Sequence, residues 1–258
     1  MKKLNLLLIS FALLLTCFIQ ITYGDMVGYW KFNEGTGTNA YDSSGGGHTA
    51  VLSGAPASWV AEQIGYSLEH NGTSDYETIT HFASLGSDVS RTINLWCKLP
   101  GDQPQASPFL LKKGTTFYIY GANNGNSGGL SFVIYDGITP AGANIPCTSV
   151  FDDTRHMLTM VIDREVQKVH VYLDAVLVAS GDVSTVGDVS STGNLILASF
   201  DGTGYWTKGH YLEIFIENRV LSQAEITAIY SNRKIGWGVP PWKQLSWGKL
   251  SWGSAKRY

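Results

Sequence analysis

Apolar and polar side chains alternate with a period of two along most of this chain, and no other feature narrows its possible folds so far. The stretches VGYWKF, YETIT, TINLWCKL, TTFYIY, LSFVIY, MLTMVID, KVHVYLD, NLILAS and YLEIFIE all show the pattern. A period of two sends successive side chains to opposite faces of a strand, so each stretch has one face to give to a core. Clusters such as NNGNSGG and FDGTG separate many of the stretches, as turns between short strands require. The expectation is an all-β protein, a two-sheet antiparallel jelly-roll sandwich. Composition agrees: 29 glycines and 12% aromatics suit many turns, and 44% hydrophobic residues supply a large core. One short C-terminal helix is expected. Ser222 and Glu225 of SQAEITAIYSN form a Ser-x-x-Glu capping box ahead of the apolar Ile226 and Ile229.

The two ends differ from the middle. MKKLNLLLISFALLLTCFIQITYGD reads as a secretory leader. Lys2 and Lys3 open it, Leu6 to Ile19 form an apolar run, and Thr22 and Gly24 place cleavage after Gly24. The run is shorter than the ~20 residues a spanning helix needs, which argues against a retained anchor. LLTC resembles a lipoprotein signal at Cys17, but Thr16 is a poor residue before that cysteine. Residues 1–24 are therefore expected to be a signal peptide, 25–232 a sandwich domain, and 233–258 a basic tail. Residues 25–230 hold 10 bases and 21 acids, a net charge of −11, which disfavours nucleic acid as a partner. In the tail Trp237, Trp242, Trp247 and Trp252 recur every five residues among lysines. Five matches neither strand nor helix, and tryptophan mixed with lysine suits a surface or a docking partner, including a second copy. Folding back as added strands is the other reading of that segment.

After removal of the leader Cys97 and Cys147 remain, which permits one disulfide in an exported chain. Cys97, however, alternates with Ile93, Leu95 and Leu99 in TINLWCKL, and so reads as a small buried hydrophobe. Asn71-Gly72-Thr73 is a glycosylation sequon, relevant only in a host with that machinery.

Five segments in order carry a family resemblance. They are VGYWKFNEGTGTNAYDSSGGG, TINLWCKLP, RHMLTMVID, KVHVYLDAVLVASG and GHYLEIFIENRVLSQAEITAIY. Together they resemble the laminin G-like family of concanavalin A-like sandwiches over about residues 25–232. Three departures stand out: Arg155 replaces a tryptophan, Ala175 a glycine after Asp174, and Leu212 an aspartate. The resemblance implies a concanavalin A-like sandwich and, often, Ca2+ held by carboxylates on adjoining loops. Asp42 matches the family's Asp-x-Ser-Gly position, Glu213 lies beside the missing aspartate, and Glu34 is near in sequence. These three are the expected metal ligands. Capping of a turn by Asp42 alone is the simpler alternative.

Glu213, Phe215 and Glu217 also resemble the Glu-x-Asp-x-Glu strand of concanavalin-like glycoside hydrolases, where paired carboxylates act as nucleophile and acid. Phenylalanine stands where the middle aspartate belongs, and the stretch aligns with a final structural strand. It is therefore expected to be an amphipathic strand with Leu212, Ile214 and Ile216 in the core and no catalytic residue. No nucleophile elbow, zinc-binding helix or phosphate loop occurs, and the histidines lack metal-ligand spacing. His156 and His170 fall on strand patterns and are expected to be structural.

Sugars are gripped by flat rings against their apolar faces and by polar neighbours on their hydroxyls. Tyr118 and Tyr120 share one face of TTFYIY, Tyr135 ends LSFVIY, and Tyr205 and Trp206 occupy the glycine-bounded loop DGTGYWTKG. These five are the expected ligand-binding residues, while Trp30 and Trp96 are assigned to the core. The reading is an exported, lectin-like module binding a polysaccharide, glycoconjugate or cell-surface partner. Its rivals are a structural or adhesive subunit assembling through the tail, and a glycoside hydrolase or polysaccharide lyase of the same fold.

Overall fold

The computed structural model describes residues 26–54, 57–62, 65–121 and 128–235. The expected leader and all four tail tryptophans lie outside the described residues. Within them the chain is an antiparallel β-sandwich of two eight-stranded sheets. Strands are numbered in chain order. The first sheet runs β14 (Val176–Asp182), β13 (Lys168–Leu173), β12 (Arg155–Asp163), β7 (Arg91–Lys98), β16 (Lys208–Glu217), β5 (Tyr66–Asn71), β4 (Ser58–Ala61). Strand β1 (Met26–Trp30) also pairs with β16. The second runs β11 (Pro140–Pro146), β10 (Gly129–Tyr135), β9 (Phe117–Gly121), β8 (Phe109–Lys113), β15 (Leu195–Leu197), β6 (Tyr76–Ile79), β3 (Ala50–Ser53), β2 (Asn39–Ala40). The expected helix spans Gln223–Ile235. A single helical turn at Ala83–Gly86 and a 3-10 turn at Cys147–Ser149 add to it.

Two apolar layers hold the molecule. The main one lies between the sheets, where alternation delivers Ile93, Leu95 and Cys97 from β7, Phe117 and Ile119 from β9, and Phe132 and Ile134 from β10. Trp30 is fully buried there. The second lies on the outer face of the first sheet, where Tyr29, Trp96, Met157, Leu212, Phe215, Leu221 and Ile226 form one cluster. The C-terminal helix covers it, with Tyr230 stacked on Trp96 at 5.7 Å. Strands β7 and β16 are thus sandwiched on both faces, which explains their almost unbroken burial. The helix starts as its sequence requires: the Ser222 backbone N–H and hydroxyl both donate to Glu225 at 2.8 Å.

One expectation fails in detail. Leu212 does not share a face with Ile214 and Ile216. The ladder between β16 and β7 pairs Tyr211 with Cys97 and Glu213 with Trp96, so Leu212 is a bulged residue. A bulge resets the alternation. Tyr211, Ile214 and Ile216 face the main core, and Leu212 joins Phe215 in the second.

Cys97 and Cys147 are both free and buried, and burial pushes the Cys97 thiol far above its usual range. The three departures from the family pattern are absorbed locally. Arg155 forms an ion pair with Glu62. Asp174 and Ala175 make the two-residue turn between β13 and β14, both with positive φ (50° and 67°), the backbone of a type I′ hairpin. Leu212 fills the second core.

Candidate functional site: an aromatic platform on the second sheet

The helix covers the central strands of the first sheet, and among the described residues no helix packs on the outer face of the second. Strand alternation builds a cluster there. Phe117 and Ile119 point inward, so Tyr118 and Tyr120 point out. Register brings Tyr118 opposite Lys112 on β8 and Val133 on β10, and Tyr120 opposite Phe109. The rings meet: Tyr118 is 5.6 Å from Tyr120 and 6.4 Å from Tyr135, and Phe109 stacks on Tyr120 at 5.0 Å. Burial and the two neighbouring tyrosines raise the Tyr118 phenol above its usual pKa, so it stays a neutral donor and acceptor.

The loop after β15 adds two more rings. Phe200 stands edge-on to Phe109 at 5.0 Å, and Tyr205 lies 5.9 Å from Phe200 and 6.0 Å from Phe109. Tight internal hydrogen bonds close this loop, with the Ser199 hydroxyl donating to Gly204 O at 2.8 Å and Thr207 N–H to Ala198 O at 2.9 Å. Its ends, Ala198 and Tyr205, both sit in the left-handed region at φ 59° and 56°. Such geometry costs of order 1 kcal/mol for a non-glycine residue and survives only where surroundings enforce it. Here it aims Tyr205, which stays 50% exposed, at the platform.

Four of the five sequence-predicted ligand residues, Tyr118, Tyr120, Tyr135 and Tyr205, thus converge. Trp206 is half-buried next to Tyr205 and outside the stack of rings, its indole N–H buried without a hydrogen-bond partner. Phe109, Phe200 and Lys112 escaped sequence reasoning. Only the β8–β9 register and the loop closure place them here.

Asp42, Glu34 and Glu213 each accept at least one hydrogen bond within the fold. Asp42 accepts the backbone N–H groups of Tyr29, Ser44 and His48 at 3.0, 2.8 and 3.1 Å. Glu34 accepts from Tyr41 N–H at 2.8 Å, and its second oxygen is buried without a partner. Glu213, 2% exposed, accepts the Tyr29 hydroxyl at 3.0 Å, at the opposite end of that tyrosine from Asp42. Among the described residues no group of three or more His, Cys, Asp or Glu side chains is arranged to hold a metal ion. Glu217 pairs with Arg219 at 2.7 Å, and Arg219 with Glu225. His156 and His170 are satisfied by Asp174 and Ser180 at 2.8 and 2.9 Å.

An antiparallel sandwich of two sheets, with a helix on one outer face and rings on the other, is a concanavalin A-like architecture. Residues 71–227, more than half of the chain, match the laminin G model of the concanavalin A-like lectin/glucanases superfamily, and the chain belongs to that family. Among curated proteins none matches. Solved structures do. The binding domain of paraclostridial mosquitocidal protein 1 superposes with a TM-score of 0.66 at 13% identity, over 82% of this chain and 53% of that one. The botulinum neurotoxin type G receptor binding domain gives 0.62 at 15%, over 81% and 51%. The botulinum neurotoxin serotype D binding domain gives 0.60 at 10%, over 82% and 52%. The chain thus spans about half the length of the structures it matches. At such identities the likeness is one of fold.

Proposed function

We propose that the protein is an exported, non-catalytic module that binds glycans or glycosylated cell-surface partners through the aromatic platform of its second sheet. The observation that carries this reading is the convergence of Tyr118, Tyr120, Tyr135 and Tyr205 with Phe109 and Phe200 on the outer face of the second sheet. Stacked and tilted rings offer flat apolar surface to pyranose faces, and the phenols offer hydrogen bonds to their hydroxyls, that of Tyr135 as acceptor because it donates to Gly137 O at 2.8 Å. The resemblance to toxin binding domains supports a binding role by analogy of fold alone.

A glycan array run with and without calcium tests ligand class and the family's metal together. Binding that drops at least tenfold on Tyr118→Ala is expected, an affinity change of about 1.4 kcal/mol. Loss of binding on chelation would bring Glu34, Asp42 and Glu213 back as ligands. Polysaccharide cleavage abolished by Glu213→Gln would replace the binding reading with a hydrolase. The tail, with Trp237, Trp242, Trp247 and Trp252, is proposed to retain the module at a surface or to join two copies, its basic charge drawn to the acidic body. Truncation after Asn232 that leaves surface retention and oligomeric state unchanged would dismiss that role.

A further inference from the structure

Lys112 is the feature of the platform that ring stacking does not need. Alternation on β8 sends its side chain to the outer face, between Tyr118 on one neighbouring strand and Ile196 on the other. Its ammonium lies 3.4 Å from the centroid of the Phe200 ring, inside the ring cluster. Two other half-buried lysines, Lys98 and Lys208, pair with Asp153 and Asp102. Among the described residues no carboxylate stands within ion-pair distance of Lys112. Asp201, the acid whose field reaches it, gives one oxygen to the Thr203 backbone N–H and hydroxyl at 2.9 and 2.7 Å. The ammonium is therefore partly dehydrated by rings without the carboxylate that usually compensates such a position.

We propose that the platform selects glycans bearing isolated anionic sugars, one carboxylate among neutral pyranoses, with Lys112 as the cation that receives it. This deepens the glycan-platform reading and rests on it. A single cation matches a single carboxylate. The −11 body around it repels a dense polyanion, so heparin-like chains are disfavoured although they are anionic. The rings then serve the neutral neighbours of the acidic sugar.

The test presents the full chain with matched probes: a xylo-oligosaccharide carrying one glucuronate, its methyl ester, the unsubstituted oligosaccharide, sialyl-lactose, lactose and heparin. The wild type is expected to prefer an acidic probe over its neutral match by roughly tenfold, as a charge-assisted hydrogen bond provides. Lys112→Met should erase the preference for an acidic probe over its neutral match, and Lys112→Arg should keep it. The methyl ester reports on the wild type alone and needs no variant to fold. Equal binding of acid and ester, preference surviving in Lys112→Met, or heparin bound more tightly than the singly charged probes each overturns the proposal and leaves the neutral platform standing. Binding of no probe and no array glycan overturns both.

Discussion

His156 shows how much a single side chain here depends on its charge. Its Nδ1 meets Asp174 at 2.8 Å and its Nε2 meets Asp152 at 3.2 Å, both at the turn ends of the first sheet. Hydrogen bonding to Asp174, with a second contribution from Asp152, outweighs partial burial and raises its pKa above the usual 6.5. A folded-state pKa raised above the unfolded one adds stability that is complete below about pH 6.5 and is lost as pH climbs through the folded value. His156→Gln is therefore expected to cost about 1–2 kcal/mol at pH 5.5, the worth of charge-assisted hydrogen bonds, and distinctly less at pH 9. Urea unfolding of both proteins at the two pH values measures it. A pH-independent difference would mean that the imidazole acts through packing. Asp174 is also the first residue of the β13–β14 turn, so the same carboxylate holds His156 and, at 2.9 Å, the Met157 backbone N–H.

At the level of strands, the sandwich is pinched shut along one side. The edge strands β14 and β11 belong to different sheets, yet a Cβ added at Gly181 would lie 1.8 Å from the Gly142 carbonyl oxygen. Gly181→Ala must push the two edges apart, and a cost of about 1–3 kcal/mol is expected, as for other overpacked sites. Thermal unfolding measures it, and an unchanged midpoint would show that the edges separate freely. Neither strand announces this approach in its sequence, because contact between sheet edges leaves no periodic trace. What alternation does make legible is strand existence and facing: Tyr118 against Phe117 and Ile93 against Asn94 could be sorted before any pairing was known. It fails at Leu212, since a strand buried on both faces reads Tyr-Leu-Glu-Ile-Phe-Ile in either register and hides its bulge. Phe109 and Phe200 fail for a related reason. An outward ring and an inward ring look alike until the non-local pairing of β8 with β9 and β15 decides what lies beside them.

The whole molecule spends its two outer faces differently, and that asymmetry separates stability from binding. The centre of the first sheet's outer face is covered by the Gln223–Ile235 helix over Trp96, Phe215 and Leu212, whereas Tyr118 and Tyr120 on the second sheet's outer face stay half-exposed. Phe215→Ala removes a buried ring from the covered layer, an expected loss of about 3–5 kcal/mol, of the order of a domain's whole stability. It touches nothing on the platform, so glycan affinity measured well below the unfolding midpoint should stay within twofold. Tyr120→Ala does the reverse. Its ring is partly solvated already, which limits the stability loss to roughly 1 kcal/mol, yet it removes the partner of both Phe109 and Tyr118 and should cut affinity tenfold or more. The pair is informative because each variant controls for the other: a fold defect predicts parallel losses, and a built site predicts crossed ones. If Phe215→Ala weakened binding as much as Tyr120→Ala at matched folded fraction, the ligand would have to sit beneath the helix, and the second sheet's outer face would be only the back of the sandwich.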